Sequence, residues 1–289
     1  MKLGILYDRI RRDEKLIIDA AEKQGAEVVL FDANTLVLPL EKNILDCDVL
    51  LERCINHARA MYTLQIAEAF GIPCINSART AEICGSKFLV TEALLAHKVP
   101  TPQTAIAFTR EKALEGVERM GYPVVLKPAV GSWGTLLAKV NDREAAEAVI
   151  DHKSILGSYH HSVFYLQKYI QKPNRDIRAF VIGNKVVGAV YRLCNHWITH
   201  LEKGATLKPC PLTPELEKIA CAAARAVEGD IVAVDIVEHR DGFLVIEVEY
   251  TVEFSQFFPI LTPEFPEKII KYIMEKHITE KHIMEKHAS

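Results

Sequence analysis

Residues 125–134 read VLKPAVGSWG, a lysine at the end of an apolar run followed by a proline, two glycines and a tryptophan. Burying an unpaired ammonium is costly, so Lys127 is expected to face an anion or a wet cleft. A Gly-Ser-Trp-Gly turn after a strand offers backbone N–H groups to an anion, and Gly131 and Gly134 let the chain approach a phosphate closely. Neither the spacing of a Walker loop nor that of a dinucleotide fingerprint occurs here, so a strained hairpin tip stands beside the phosphate reading.

Three acids form a second constellation: Asp235 in VAVDIVE, then Glu247 and Glu249 in VIEVEY. Residues two apart on a strand point to one face, so the two glutamates project side by side, an arrangement that favours a cation between them. Oxygen ligands of this kind suit Mg²⁺, which commonly bridges nucleotide phosphates. A solvent-exposed strand face is the alternative. Arg178 and Arg192 fall on strands marked by their apolar neighbours as largely buried, where arginine is usually paired or aimed at carboxylate or phosphate oxygens. Asp176 is a candidate salt-bridge partner.

The elements that must position these groups follow from periodicity. KLGILYD, a helically spaced stretch at 14–24 and AEVVLFD alternate strand, helix, strand, and CDVLLERC, ARAMYTLQIAEAFG and IPCIN continue the alternation. That predicts a parallel sheet over residues 1–84. A small unit over 85–170 opens with the helix GSKFLVTEALLAHKVP and carries the strands TAIAF, PVVLKP and LLAKV around helices at 110–120 and 142–151. Residues 171–289 read as α+β, with the strands DIRAFVIG, KVVGAVYR, IVAVDIVEH and GFLVIEVEY, a helix at 214–227 and a tight hairpin at Asp241-Gly242. The end, IMEKHITEKHIMEKHAS, repeats every five residues, a period that holds no single apolar stripe on a helix. Its His277, His282 and His287 would sit ~140° apart around a helix, so a frayed, solvated terminus is preferred to a metal site.

Taken in order, YPVVLKPAVGSWG, FYLQKYI, RDIRAFVIG, VVGAVYR, NHWIT, PLT, VAVDIVE and EVEYTVEF resemble the ATP-grasp carboxylate–amine ligases, within them the LysX and ArgX group related to RimK. The likeness runs from GILYDRIR to about residue 272. It implies a three-domain ATP-grasp fold, α/β and α+β, with ATP held between the second and third domains. It implies that Lys87 and Lys127 contact phosphate, that Gly131, Ser132, Trp133 and Gly134 form a lid, and that Gln167, Lys168, Tyr169 and Ile170 form the adenine hinge. By the same likeness Arg178 and Arg192 contact phosphate or acyl groups, and Asp235, Glu247 and Glu249 bind Mg²⁺. The segment 195–206 contacts the amino-acid substrate, with Asn195, Trp197, Thr199, His200 and Lys203 as the residues concerned. The implied activity joins α-aminoadipate or glutamate to the C-terminal glutamate of the carrier protein LysW, through an acyl phosphate, in lysine or arginine synthesis.

The chain departs from that pattern where the chemistry lies. Thr135 stands where the pattern has arginine, THLEKGA at 199–205 where it has TNTARGG, Glu249 where it has asparagine, Lys168 where it has an acid, and Ser86 where it has an acid. These changes raise a second reading, a relative that binds nucleotide without turnover.

The bulk properties agree with a soluble enzyme. At 289 residues, with 49% hydrophobic and 25% charged residues and no apolar run able to cross a bilayer, the chain suits several compact units. A net charge of −3 supplies no broad basic field for nucleic acid. The start lacks a secretory pattern, so the cytoplasm is expected. A dimer or tetramer would suit such an enzyme. The seven cysteines are odd in number, contain no C-x-x-C pair and sit among apolar neighbours. They read as reduced core residues, with a catalytic thiol as the competing reading.

Overall fold

A computed structural model describes residues 1–129, 136–156, 163–258 and 260–287, those from 280 onward as backbone alone. Gly131, Ser132, Trp133, Gly134 and Thr135 lie outside the described residues, so the lid expected there has no structural account.

The first sheet is parallel, as the alternation predicts. It consists of β1 (Lys2–Tyr7), β2 (Glu27–Asp32), β3 (Val49–Glu52) and β4 (Cys74–Ile75) in the order β2-β1-β3-β4, with α1 (Arg12–Lys23) and α2 (His57–Ala69) as crossovers and α3 (Ala78–Cys84) after β4. Asn56 starts α2 by accepting from Arg59 N at 3.2 Å, and Gly71 takes the left-handed φ of 78° that ends it. The sheet fans outward from β1, so the carboxyl ends of β1 and β3 form its topological switch point. Helix α3 was not expected from the sequence; its seven residues are too few for a readable apolar stripe.

Next come α4 (Lys87–Ala96) and a compact unit of β5 (Thr104–Ala107), α5 (Arg110–Met120), β6 (Val124–Lys127), β7 (Ala138–Val140), α6 (Arg143–Leu156) and β8 (Phe164–Lys168). Its antiparallel sheet has the order β5-β8-β6-β7 and a core of its own, built on Leu114, Val117, Val124, Leu126, Ile150 and Leu166.

The third sheet is antiparallel with five strands: β9 (Arg175–Ile182), β10 (Lys185–Leu193), β11 (Thr206–Pro209), β12 (Ile231–His239) and β13 (Gly242–Glu249), ordered β11-β10-β9-β12-β13. Helix α7 (Pro214–Ala226) packs on one face, capped by Thr213 and opened by proline, and α8 (Phe265–His287) packs toward the first unit. The hairpin expected at Asp241-Gly242 joins β12 to β13, with Gly242 at φ 125°. The tail forms a continuous 23-residue helix through His287.

The apolar side of α4, with Val90, Ala93 and Leu94, joins the core of the third sheet and α7. The sequence division placed this helix with the small unit. Its apolar face finds its complement on Ile219, Ala223 and Val248 instead. First and third units also share a core: Leu3, Ile5 and Ile17 belong to one cluster with Phe180, Phe254, Phe265 and Ile270. Among the described residues no helix is long and apolar enough to cross a membrane. All seven cysteines are unpaired, and burial pushes the Cys54, Cys74 and Cys84 thiols well above their usual range and Cys47 up to about 11. Nothing here activates a thiolate at these four positions.

Candidate functional site

The small antiparallel sheet and the five-stranded sheet face each other across a cleft. Lys127, Gln167, Lys168, Tyr169 and Ile170 line one side; Arg178, Arg192, Asp235, Glu247 and Glu249 line the other. Val125, Leu137, Val237 and Ile246 add an apolar wall. Residues from three separate sequence constellations are therefore neighbours.

The acids meet as their spacing predicts. Antiparallel pairing sets Asp235 of β12 opposite Glu247 of β13 and Ala233 opposite Glu249, with a register shift between Asp235 and Ile236. One carboxylate oxygen from each of Asp235, Glu247 and Glu249 lies within 4.8 Å of the others. Asp235 is buried, and the two glutamates are partly buried. Three hard oxygen donors this close suit a small divalent cation, so the residues present fit Mg²⁺.

Cations hold this charge in place. Arg178 grips Asp235 with two bonds of 2.8 and 3.0 Å, and its Nη2 lies 2.7 Å from Glu249 Oε1. Arg192 grips Asp176 at 2.8 and 2.9 Å and reaches Asp235 Oδ2 at 2.9 Å. The sequence offered Asp176 as an ion partner, and it is one. Lys87, the first residue of α4, donates to Glu247 Oε1 at 2.8 Å. Its backbone N–H bonds Ala129 O at 3.0 Å, which ties α4 to the chain leading away from Lys127.

Burial and charge compete at each group. Burial opposes ionisation of Asp235, yet the guanidiniums of Arg178 and Arg192 hold its carboxyl well below the usual range. Burial also opposes ionisation of Glu247, and Lys87 and Lys127 prevail, lowering it. At Glu249 burial wins, with Asp235 and Glu247 adding to the rise against Arg178. Burial brings the Lys127 ammonium down to about 8, Lys87 pushing the same way and Glu247 opposing. Lys127 lines a cleft, one of the two surroundings expected of it.

Gln167, Lys168, Tyr169 and Ile170 follow one another along the cleft wall. Gln167 Nε2 donates to Tyr165 Oη at 3.2 Å, and the Tyr169 ring meets Trp197 edge-on at 6.3 Å and takes Lys139 Nζ over its face at 4.7 Å. Lys168, standing where an acid is usual, donates to Met120 O at 3.0 Å and Gly121 O at 2.7 Å, and so ties the hinge to the last turn of α5. Ser86, the other lost acid, caps α4 by accepting from Leu89 N at 3.4 Å.

In the segment 195–206, Trp197, Thr199 and His200 line the cleft; Asn195 and Lys203 are exposed and are absent from its lining. Lys203 ends the short 3₁₀ turn Leu201–Lys203, which His200 caps. Burial and then Arg192 lower the His200 imidazole. Sequence reasoning missed Lys172. This partly buried lysine lines the cleft, donates to Thr199 Oγ1 at 2.8 Å, and lies 3.5 Å from Asp176. It sits in the irregular QKPNRD stretch, where no periodicity singles it out.

Comparison with known proteins shows the family. Residues 84–273 match the RimK-like ATP-grasp domain, and residues 3–83 match the LysX preATP-grasp domain. The chain is 33% identical over 270 residues to an alpha-aminoadipate–LysW ligase, LysX, of Saccharolobus solfataricus, covering 92% of this chain and 97% of that one. It is 31% identical over 278 residues to a glutamate–LysW ligase, ArgX, of Sulfurisphaera tokodaii, covering 95% and 99%. Among solved structures, a RimK domain ATP-grasp protein from Sphaerobacter thermophilus superposes with a TM-score of 0.81 at 26% identity over 94% of this chain and 99% of that one. A D-alanine–D-alanine ligase from Bacillus anthracis shares the fold at a TM-score of 0.72 and 16% identity, covering 98% and 99%. The chain belongs to the RimK-like ATP-grasp family, with a LysX-type pre-ATP-grasp domain at its N-terminal side.

Proposed function

We propose that the protein is an ATP- and Mg²⁺-dependent ligase that joins a carboxylate to an amine, with the C-terminal glutamate of a LysW-like carrier as the carboxylate and α-aminoadipate or glutamate as the amine. The observation that carries this reading is that Lys127 and the acid trio line one cleft, with Lys87, outside that lining, bonded to Glu247.

In this reading Gln167, Lys168, Tyr169 and Ile170 seat the adenine against Val125, Leu137 and Ile246, and Lys87 and Lys127 hold the phosphates. Asp235, Glu247 and Glu249 hold the metal. Magnesium bound there supplies neutralisation of phosphate charge and alignment of the transferred group. A carboxylate oxygen attacks the γ-phosphorus and ADP leaves; the amine nitrogen attacks the resulting acyl carbon, phosphate leaves and an amide remains. Arg178 and Arg192, fixed by paired carboxylates, present guanidinium charge to the acyl phosphate without reorganising. Trp197, Thr199, His200 and Lys172 shape the place of the incoming amino acid. Such an enzyme works in the cytoplasm.

The test supplies ATP, Mg²⁺, a glutamate-terminated carrier, and α-aminoadipate or glutamate, and measures ADP release and the mass of the carrier. ADP release with the carrier's mass gain supports the reading; its absence with every pairing overturns it. Tight nucleotide binding without turnover would favour the second reading. The Arg178–Glu249 bond of 2.7 Å motivates that alternative, because an asparagine at 249 would leave this guanidinium less restrained.

A further inference from the structure

β12 and β13 carry the acid trio, and their ladder ends at the pair Ala233–Glu249, so the last acid sits on the final rung. Beyond it a side chain takes over the ladder's work. Asn76 follows β4 in the first unit and is 3% exposed. Its Oδ1 accepts from Ile231 N–H at 3.0 Å, and its Nδ2 donates to Ile231 C=O at 2.7 Å. A facing strand residue would exchange the same two bonds. The same Nδ2 donates to Tyr250 C=O at 2.8 Å, and Oδ1 also accepts from Asp230 N–H at 2.7 Å. One amide thus staples the start of β12 to the residue after Glu249.

The chain that follows is gripped residue by residue from the first unit. His57 Nδ1 pairs with Tyr250 Oη at 2.9 Å, Thr251 Oγ1 donates to Glu52 at 2.7 Å, and Arg53 donates to Val252 O at 2.8 Å. Arg11 meets Glu253 at 2.6 Å, and Asp13 accepts from Phe254 N, Ser255 N and Ser255 Oγ at 2.6, 3.0 and 2.7 Å. All these partners lie outside the cleft lining.

We infer that Asn76 is a positioning residue for the acid trio: it fixes the separation of the two strands that hold Asp235 and Glu249, with the Glu52–Thr251 bond as a second tether. The inference rests on the metal reading of the trio. It assigns the first unit a part in metal binding although it offers no ligand there.

The test is calorimetric titration of the full chain with ADP, with and without Mg²⁺, alongside thermal melting. Residues that orient metal ligands from behind typically change metal affinity by about ten- to a hundredfold. Asn76→Asp keeps both acceptor bonds and loses both donor bonds, so it should cut the magnesium-dependent gain in ADP affinity about tenfold or more. Metal-free ADP affinity should stay within about twofold of the wild type, as expected of distant, independent sites. Thr251→Val should show the same selective loss in smaller measure, and it decides the matter if the Asn76 variant does not fold. A folded variant with an unchanged magnesium gain, or with equal losses in both conditions, overturns the inference. A wild-type chain with no magnesium gain overturns the metal reading and this inference with it; a wild-type gain untouched in the variants overturns the inference alone.

Discussion

Replacing Glu52 by glutamine should flatten the pH dependence of the protein's stability between pH 5 and 8. Glu52 ends β3, is 2% exposed, accepts from Thr251 Oγ1 at 2.7 Å and also accepts from Cys54 N. Burial raises its carboxyl from 4.5 to about 7, against the opposing pull of Thr251 and Arg53. In the unfolded chain the group ionises near 4.5, while in the folded chain it keeps its proton until about 7. Between those values the native state binds more protons than the unfolded one, so stability falls as pH rises, and it levels off above about 7. The raised value, at about 1.4 kcal/mol for each pH unit, amounts to a loss of about 3 kcal/mol. Glutamine imitates the protonated acid in shape and neutrality, so it removes this contribution and leaves those of all other groups. The assay is urea unfolding of both proteins at pH 5 and pH 8. The wild type should lose about 3 kcal/mol more than Glu52→Gln over that range. Equal losses, or a wild type that gains stability relative to the variant at pH 8, would refute a buried neutral carboxyl at this position.

Lys127→Met should weaken ATP binding by at least about tenfold with the fold intact, because it removes a charge-assisted contact of about 1.5–3 kcal/mol, as calorimetry with Mg·ATP would measure. Phe254→Ala should cost about 3–5 kcal/mol in urea unfolding, since this ring is fully buried and lies 5.0 Å from Phe265 in the core shared by the first and third units. Asp13→Ala strips the acceptor from two buried backbone N–H groups and should cost about 2–4 kcal/mol by the same measurement. Cys54 and Cys74 should resist iodoacetamide at pH 7 in the native chain and react fully in denaturant, as mass spectrometry would count.

Where the physics was local, the sequence displayed it. Strand, helix, strand alternation gave the parallel sheet, and the spacing of Glu247 and Glu249 put them on one face before any coordinates were known. Lys127 betrayed itself as a charge at the end of an apolar run. Asp176 and Arg192 lie on adjacent strands, and each was legible as half of a pair. Other features had no local trace. The bonds of Asn76, Glu52 and Asp13 to the segment after β13 join residues far apart in sequence, such as Asp13 with Ser255. Only the completed fold brings them together. Lys172 stands out only once Thr199 and Asp176 surround it. Strand β11 was missed because TLKP has no alternation and takes its ladder from β10. The apolar stripe of α4 reveals that the helix packs, and not that its neighbours are α7 and the third sheet.

The small sheet keeps its apolar cluster to itself, while the first and third units share theirs. The chain enters that unit after α4 and leaves it after β8, so it hangs from the rest as an insertion on two threads. Swinging such a body leaves its own apolar cluster covered, and the work of opening falls on its bonds to α4, Lys87 N–H to Ala129 O and the buried hydroxyl pair of Thr91 and Tyr165. A jaw built this way can widen to admit a bulky nucleotide and shut on it while the anvil beneath, braced by its neighbour, stays rigid.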